Sequence, residues 1–298
     1  CPAQQCSQRA LRQKQNRMYR PVVGRPHSVS YVRGMLRGQV LIEGAAQAGI
    51  EEFPDTWEEF WQCCEKLESC GITPLALHTE GTAWVPMLFA TAETASTEEG
   101  LQFMQQFYPD TYQGESGLRI ARTLERLFQY TTDDALYVDF DVSYENFFSG
   151  KAAMIPNGYW MMDQIPEEWQ DKVRFSAFPE NRLISSPETF GWAIVSSYSQ
   201  EVKEGAAALL KLRTQMNMEQ REELFEKNPD SLTQAERDYI ETYKSGPVLV
   251  PNYQVKWNSI LQEETLGTIL PDLAQGKISP EEFTRKEDES IQEFLEEQ

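Results

Sequence analysis

Long apolar runs, histidine and a usable set of cysteines are what this 298-residue chain has least of. No stretch approaches the roughly 18 to 20 uninterrupted apolar residues that a membrane-spanning helix needs. Of its two histidines, His27 and His78, neither stands near a nucleophile motif. A metal-binding histidine pair and a Gly-rich phosphate loop are both missing, which removes the commonest hydrolytic and nucleotide-binding signatures. Five cysteines are an odd number, and Cys63, Cys64 and Cys70 crowd one predicted helix, so no disulfide framework can be read. A metal site built from those three and His78 matches no zinc spacing, and small apolar filling of a helix face is the better reading. No charged start leads into an apolar run, so any export signal is expected outside this sequence.

Apolar residues make up 40% of the chain and aromatics 11%, a normal globular composition at a length sufficient for two domains. The net charge of -20 argues against nucleic acid as a partner, because phosphate binding rests on Lys and Arg. That charge is uneven. Residues 1–50 carry Arg9, Arg12, Lys14, Arg17, Arg20, Arg25, Arg33 and Arg37 against Glu43 alone, so this segment is +7 and the remainder -27. The basic residues are scattered among Gln, Cys and Pro with no amphipathic period, which does not suit a nucleic-acid or lipid-binding arm.

From residue 54 onward the local signals agree. Thr56 and Glu59 form a capping box, Trp57, Phe60, Trp61, Cys64 and Leu67 recur at helical spacing, and Gly71 is the stop. Ile72 to Leu77 reads as a short buried strand, Val85 to Ala90 as an apolar segment, and Ser96 with Glu99 as the start of another helix. Ser143 to Phe148 is a short helix ended by Gly150, and Ala152 to Ile155 is a strand. Phe175 to Pro179 and Phe190 to Val195 read as further strands. Helices are expected over Glu201 to Gln215, from Thr233 to near Lys244, over Tyr253 to Gln262, and from Ser279-Pro280 to the end, with Pro247 to Pro251 extended. Alternating strands and helices mean an α/β architecture.

Six segments in order carry a resemblance: Pro54 to Phe60, Gly71 to Ala76, Phe148-Ser149-Gly150-Lys151-Ala152-Ala153-Met154, Asn157-Gly158-Tyr159-Trp160, Gly191-Trp192-Ala193-Ile194, and Val250 to Gln254 with Trp257. Together they resemble the family 1 extracellular solute-binding proteins, the maltose- and oligosaccharide-binding components of ABC sugar importers. The resemblance covers residues 50 to 298. It implies a periplasmic-binding-protein type II fold with two lobes, a hinge, and a sugar held in the cleft between them. On that division residues 1–50 are an atypical basic remnant of the first lobe or hinge, 51–185 the second lobe, 186–246 a return to the first lobe, and 247–298 C-terminal helices completing the second lobe and hinge. The first lobe is expected to be incomplete. Codons permitted for Leu36 to Ile42, read one base along, can spell a stretch closer to the family's, so part of residues 1–45 is expected to be out-of-frame translation. Resequencing the locus tests that.

A sugar presents an apolar ring face and a rim of hydroxyls, so its site needs flat aromatic walls and short polar or carboxylate groups at the edge. The resemblance places Trp160 in the cleft, with Tyr159, Asn157 and Gly158 before it, and puts Trp257 at a late cleft aromatic. Glu80, Thr82 and Trp84 match a loop bordering the cleft, and Trp192 lies on the strand returning to the first lobe. Trp57, Trp61 and Trp169 read as structural. No catalytic residue, metal or cofactor is expected. The implied partners are a sugar or oligosaccharide and the permease subunits, with the protein a monomer outside the cytoplasmic membrane. Cys1 invites comparison with a lipidated cysteine, but a fragment edge is the preferred reading. Two alternatives stay open: a non-functional or weakly binding fragment, and a carbohydrate-active enzyme using paired carboxylates such as Asp133-Asp134, Glu167-Glu168 or Glu281-Glu282.

Overall fold

The structure, a computed structural model, describes residues 37–42, 48, 50, 52–106, 108–185, 194–222, 229–253 and 261–297, with the backbone alone for 37–42, 214, 217–222, 229, 261, 264 and 265. The expected strand Phe190 to Val195 and the expected helix Tyr253 to Gln262 fall largely outside these residues, as do Cys1, Trp192 and Trp257. Among the described residues the strands are β1 (Arg37–Ile42), β2 (Thr73–Leu75), β3 (Ala152–Gly158), β4 (Val173–Ser176), β5 (Arg182–Ser185) and β6 (Val248–Pro251). The helices are α1 (Trp57–Ser69), α2 (Trp84–Thr94), α3 (Glu98–Met104), α4 (Glu115–Leu127), α5 (Phe140–Phe148), α6 (Gln200–Glu222), α7 (Gln234–Lys244), α8 (Gly267–Ala274) and α9 (Pro280–Glu296).

All six strands form one sheet in the order β2-β3-β1-β5-β6, with β4 beside β1 on the same side as β5. β1 runs antiparallel to β3, β4 and β5, whereas β2 is parallel to β3 and β6 to β5. Five strands therefore share one direction and end on one edge of the sheet. Gly38 opposes Asn157, and Arg37 opposes both Gly158 and Ile184. Between β4 and β5 the chain turns out in a hairpin closed by mutual Phe178 and Arg182 backbone bonds, with Glu180 and Asn181 left-handed at φ 59° and 55°. The segment Leu36 to Ile42 shows no strand-like alternation, yet residues 37–42 fill the centre of the sheet. Pairing on both sides satisfies the backbone whatever the side-chain period.

Two hydrophobic clusters lie across this sheet. One gathers Phe60, Leu67, Leu88, Phe89, Leu124, Met154, Ile184 and Phe283 from α1, α2, α4, α9 and the strands; the other gathers Phe147, Ile155, Val173, Phe175, Leu183 and Tyr239 from α5, α7 and the strands. The α1 capping box forms as expected, with Thr56 Oγ1 accepting from the Glu59 N–H at 3.2 Å and the Glu59 carboxylate accepting from the Thr56 N–H at 3.0 Å. Leu67, Cys64 and Phe60 then bury completely, and Gly71 at φ 75° ends the run. Three starts differ from the pattern. Thr97, not Ser96, caps α3, its hydroxyl accepting from the Gly100 N–H. Asp139 caps α5 at Phe140, a turn earlier than Ser143. Val85 to Ala90 is helical, because α2 is buried almost all round and its length rather than its period sets its class.

The buried side of α7 is held by Asp238, which accepts from Arg174 Nε at 2.5 Å, from the Phe175 N–H at 3.1 Å and from Gln234 Nε2 at 2.8 Å. In α9, by contrast, Glu287 is fully buried and neither carboxylate oxygen has a partner. Burial, followed by the nearby Asp288 charge, holds its carboxyl well above the usual range.

α6 is the least packed element. None of its residues with a described side chain is buried, and Val202, Leu209, Leu212 and Met216 expose 49%, 65%, 55% and 52% of their surface along one heptad-spaced stripe.

Two outcomes follow from these packing differences. Above pH 4.5 the unfolded chain releases the Glu287 proton while the folded one keeps it, so stability falls as pH rises through that window. Thermal melts between pH 4.5 and 8.5 should show this decline reduced in Glu287→Met, with a stability gain of roughly 1 to 3 kcal/mol at the alkaline end. Parallel curves for the two proteins contradict it. Leu209→Glu, in contrast, should change folding stability by no more than about 0.5 kcal/mol in urea titrations, since that position packs against little.

Candidate functional site

Where parallel strands end together, the chain leaves a crevice outside their carboxyl ends, and such crevices are where open α/β sheets take ligands. Here that edge collects His78 just beyond β2, Asn157 and Gly158 closing β3, Ser185 closing β5 and Asn252 after β6. The two residues following Gly158 turn to opposite sides. Tyr159 packs its ring 5.0 Å from Tyr239 of α7, which makes it part of the second cluster. Trp160 folds back over the strand end: a β-carbon added to Gly158 would lie 2.1 Å from a carbon of the Trp160 ring. Glycine is needed here for close approach, not for its dihedral freedom, because φ at Gly158 is -120°.

Trp160 meets Trp84 at a centroid separation of 6.1 Å and a tilt of 58°. Both residues are half-buried. Trp84 is the first residue of α2, and the preceding Ala83 is left-handed at φ 50° with no side chain capping the helix. Pro86 in the first turn lacks an N–H, which leaves the Trp84 and Val85 amides as the backbone donors of this end. Glu80 is exposed and Thr82 half-buried in the loop leading into it.

Behind Trp84 stands His78, edge-on at 5.5 Å, itself met edge-on by Phe140 at 5.9 Å. Its Nδ1 lies 2.9 Å from Ser143 Oγ, and that hydroxyl donates to the Phe140 carbonyl at 3.0 Å. The Ser143 hydroxyl is thus shared between the imidazole and that carbonyl. Burial pulls the imidazole down to about 4 despite the opposing Asp139 charge, so it is neutral at physiological pH. Ser143 is fully buried, out of reach of a ligand at the surface.

Asn157 is fully buried; its Oδ1 accepts from the Gly158 N–H at 2.8 Å and its Nδ2 has no partner. Being one residue from Gly158 in the strand, it faces the opposite side of the sheet from the Trp160 ring. The structure thus brings Trp84, Trp160, Glu80 and Thr82 to one place, turns Tyr159 and Asn157 away from it, and leaves Trp192 and Trp257 outside the described residues. His78 was considered in the sequence only as a metal ligand with Cys63, Cys64 and Cys70. It is instead engaged by Ser143, while Cys63 and Cys64 lie in the α1 core with their thiols raised by burial, Cys63 to about 11. Among the described residues no three His, Cys, Asp or Glu side chains converge on a metal position.

Two depressions elsewhere are poorer sites for an apolar ring. One of about 430 Å³ beside Pro54, Pro179, Glu180 and Asn181 has only Phe178 as an aromatic, and that residue is buried. In the other, of about 240 Å³, the Trp61 ring is covered by the Arg126 guanidinium at 4.3 Å.

Neither a family profile nor a curated protein sequence matches the chain. Solved structures do. A chitin oligosaccharide binding protein superposes with a TM-score of 0.68 at 16% identity, over 89% of this chain and 70% of that one. A Streptococcus pneumoniae solute-binding protein in complex with the blood group A-trisaccharide gives 0.63 at 16%, over 90% and 73%. An ABC transporter binding protein from Bifidobacterium animalis in complex with mannobiose gives 0.61 at 17%, over 90% and 70%. Identities this low speak to architecture and not to activity. Strand order, cleft edge and superposition together give this chain the α/β, periplasmic-binding-protein fold of the two-lobed solute-binding proteins.

Proposed function

We propose that this protein is the substrate-binding component of an ABC importer, capturing a sugar or oligosaccharide on the Trp84–Trp160 floor and presenting it to the membrane permease. The observation that carries this reading is the Trp160 indole laid over the side-chain-free Gly158 at a strand end, paired with Trp84. A flat aromatic surface beside a carboxylate and a hydroxyl meets both demands of a pyranose, an apolar face and a polar rim. The neutral His78 adds no charge to repel or attract, which suits an uncharged ligand. The fold neighbours named above are sugar-binding proteins, and another is described as a probable secreted solute-binding lipoprotein from Streptomyces coelicolor. That supports a place outside the cytoplasmic membrane for this chain.

Affinity has to be assembled from several contacts. A micromolar sugar needs roughly 8 kcal/mol, against about 0.5 to 1.5 for each net hydrogen bond and a similar amount for each stacked ring. No single residue suffices, but the floor is common to all of them.

A thermal-shift panel of mono-, di- and trisaccharides tests the reading. At a hundred-fold excess over Kd a bound sugar should add about 2.7 kcal/mol of stability and raise the midpoint by several degrees. Failure of every sugar to shift it leaves a non-binding fragment as the description. In the same panel Gly158→Ala should remove the shift as fully as Trp160→Ala, because its methyl displaces the indole, while far-ultraviolet circular dichroism stays native. Retained binding in Gly158→Ala means the ligand does not use this floor.

A further inference from the structure

Tyr137 has no role in the sequence pattern, yet it is the most exposed large apolar side chain described, at 66%. A single exposed tyrosine needs no explanation by itself. This one is fixed in place. Its hydroxyl accepts a hydrogen bond from Gln275 Nε2 at 2.7 Å, reaching across from the residue that ends α8. Its own N–H bonds to the Asp134 carbonyl at 2.9 Å, and the Asp134 carboxylate in turn accepts from Asn146 Nδ2 and lies 3.6 Å from Lys151.

The turn that carries Tyr137 is also tied to the loop carrying Glu80. Thr79 Oγ1 donates to the Ala135 carbonyl at 3.3 Å, and the Glu80 N–H donates to the Val138 carbonyl at 3.1 Å. Three residues on, Phe140 abuts His78, which abuts Trp84. The 66%-exposed ring therefore stands one residue from a loop that borders the aromatic floor, held before any ligand arrives. An aromatic ordered in advance loses little entropy on contact, and tyrosine offers a flat face with a polar tip.

We infer that Tyr137 is the outer aromatic wall of the site, with Glu80 between it and the Trp84–Trp160 floor, and that the ligand is a carbohydrate of at least two rings. One ring rests on the floor, and the next reaches Tyr137. This rests on the sugar-binding reading of the same site. Gln275 acts as a positioning residue that holds the phenol.

Isothermal titration of the full chain with mannose, mannobiose, N-acetylglucosamine and its di- and trisaccharides tests the inference. Tyr137→Ala should weaken binding of the di- or trisaccharide about five-fold and leave any monosaccharide binding unchanged. Tyr137→Phe, which keeps the ring but loses the hydrogen bond from Gln275, should fall between the parent and Tyr137→Ala. Equal affinity of Tyr137→Ala and the parent for every sugar, or an equal loss for short and long sugars, overturns it while leaving the proposed function standing. If the parent binds none of these sugars while remaining folded, the proposed function falls and the inference falls with it.

Discussion

A missing side chain organises the candidate site. Because Gly158 offers only hydrogen where a β-carbon would stand, the Trp160 indole closes over the strand end and meets Trp84, the first residue of a buried helix. Trp84 is braced by His78, His78 by Ser143 and Phe140, and those two belong to the helix immediately before β3. The contacts thus return to the strand they started from. A circuit of this kind makes the floor rigid, and rigidity is what lets a weakly polar surface discriminate by shape.

The parts of this arrangement that were legible in the sequence are those written in short-range chemistry. The Thr56–Glu59 box, the Gly71 stop, the Thr233 and Ser279 caps and the apolar run of β3 each depend on neighbours within a few residues. Trp160 was legible as well, since a glycine two places before an indole at a strand end is a local statement. His78 and Tyr137 were not. His78 gains its role from Ser143, 65 positions away, and Tyr137 from Gln275, 138 positions away, and no periodicity reports either distance. Asn157 shows the converse limit, since alternation along β3 sends it to the other face from the Trp160 ring, while Tyr159 begins a 3-10 helix and packs on Tyr239. β1 escaped notice for a third reason, because a central strand is specified by its partners and hardly by its own pattern.

Charge separates the structural from the functional more sharply than hydrophobicity does. The close ion pairs of this acidic chain, Arg174 with Asp238 and Arg285 with Glu282 and Glu289, sit at α7 and α9, and the Arg126 guanidinium lies on Trp61. The floor region, among the described residues, holds aromatic rings, a neutral imidazole and the exposed carboxylates of Glu80 and Asp139. For an uncharged ligand that is an economical division: strong fields fasten the scaffold, and the site is left to stacking and hydrogen bonding, whose strength changes little with salt.

The exposed stripe of α6 reaches beyond folding, into colloidal behaviour. At low ionic strength the charge of -20 keeps copies apart, and Leu209, Leu212 and Met216 stay in water without consequence. Salt removes that repulsion and at the same time leaves the apolar contact intact, so the same helix that costs folding nothing becomes the adhesive patch of the dissolved protein. An element that neither the described core nor the candidate site uses is therefore the apolar surface this chain offers once its charge is screened.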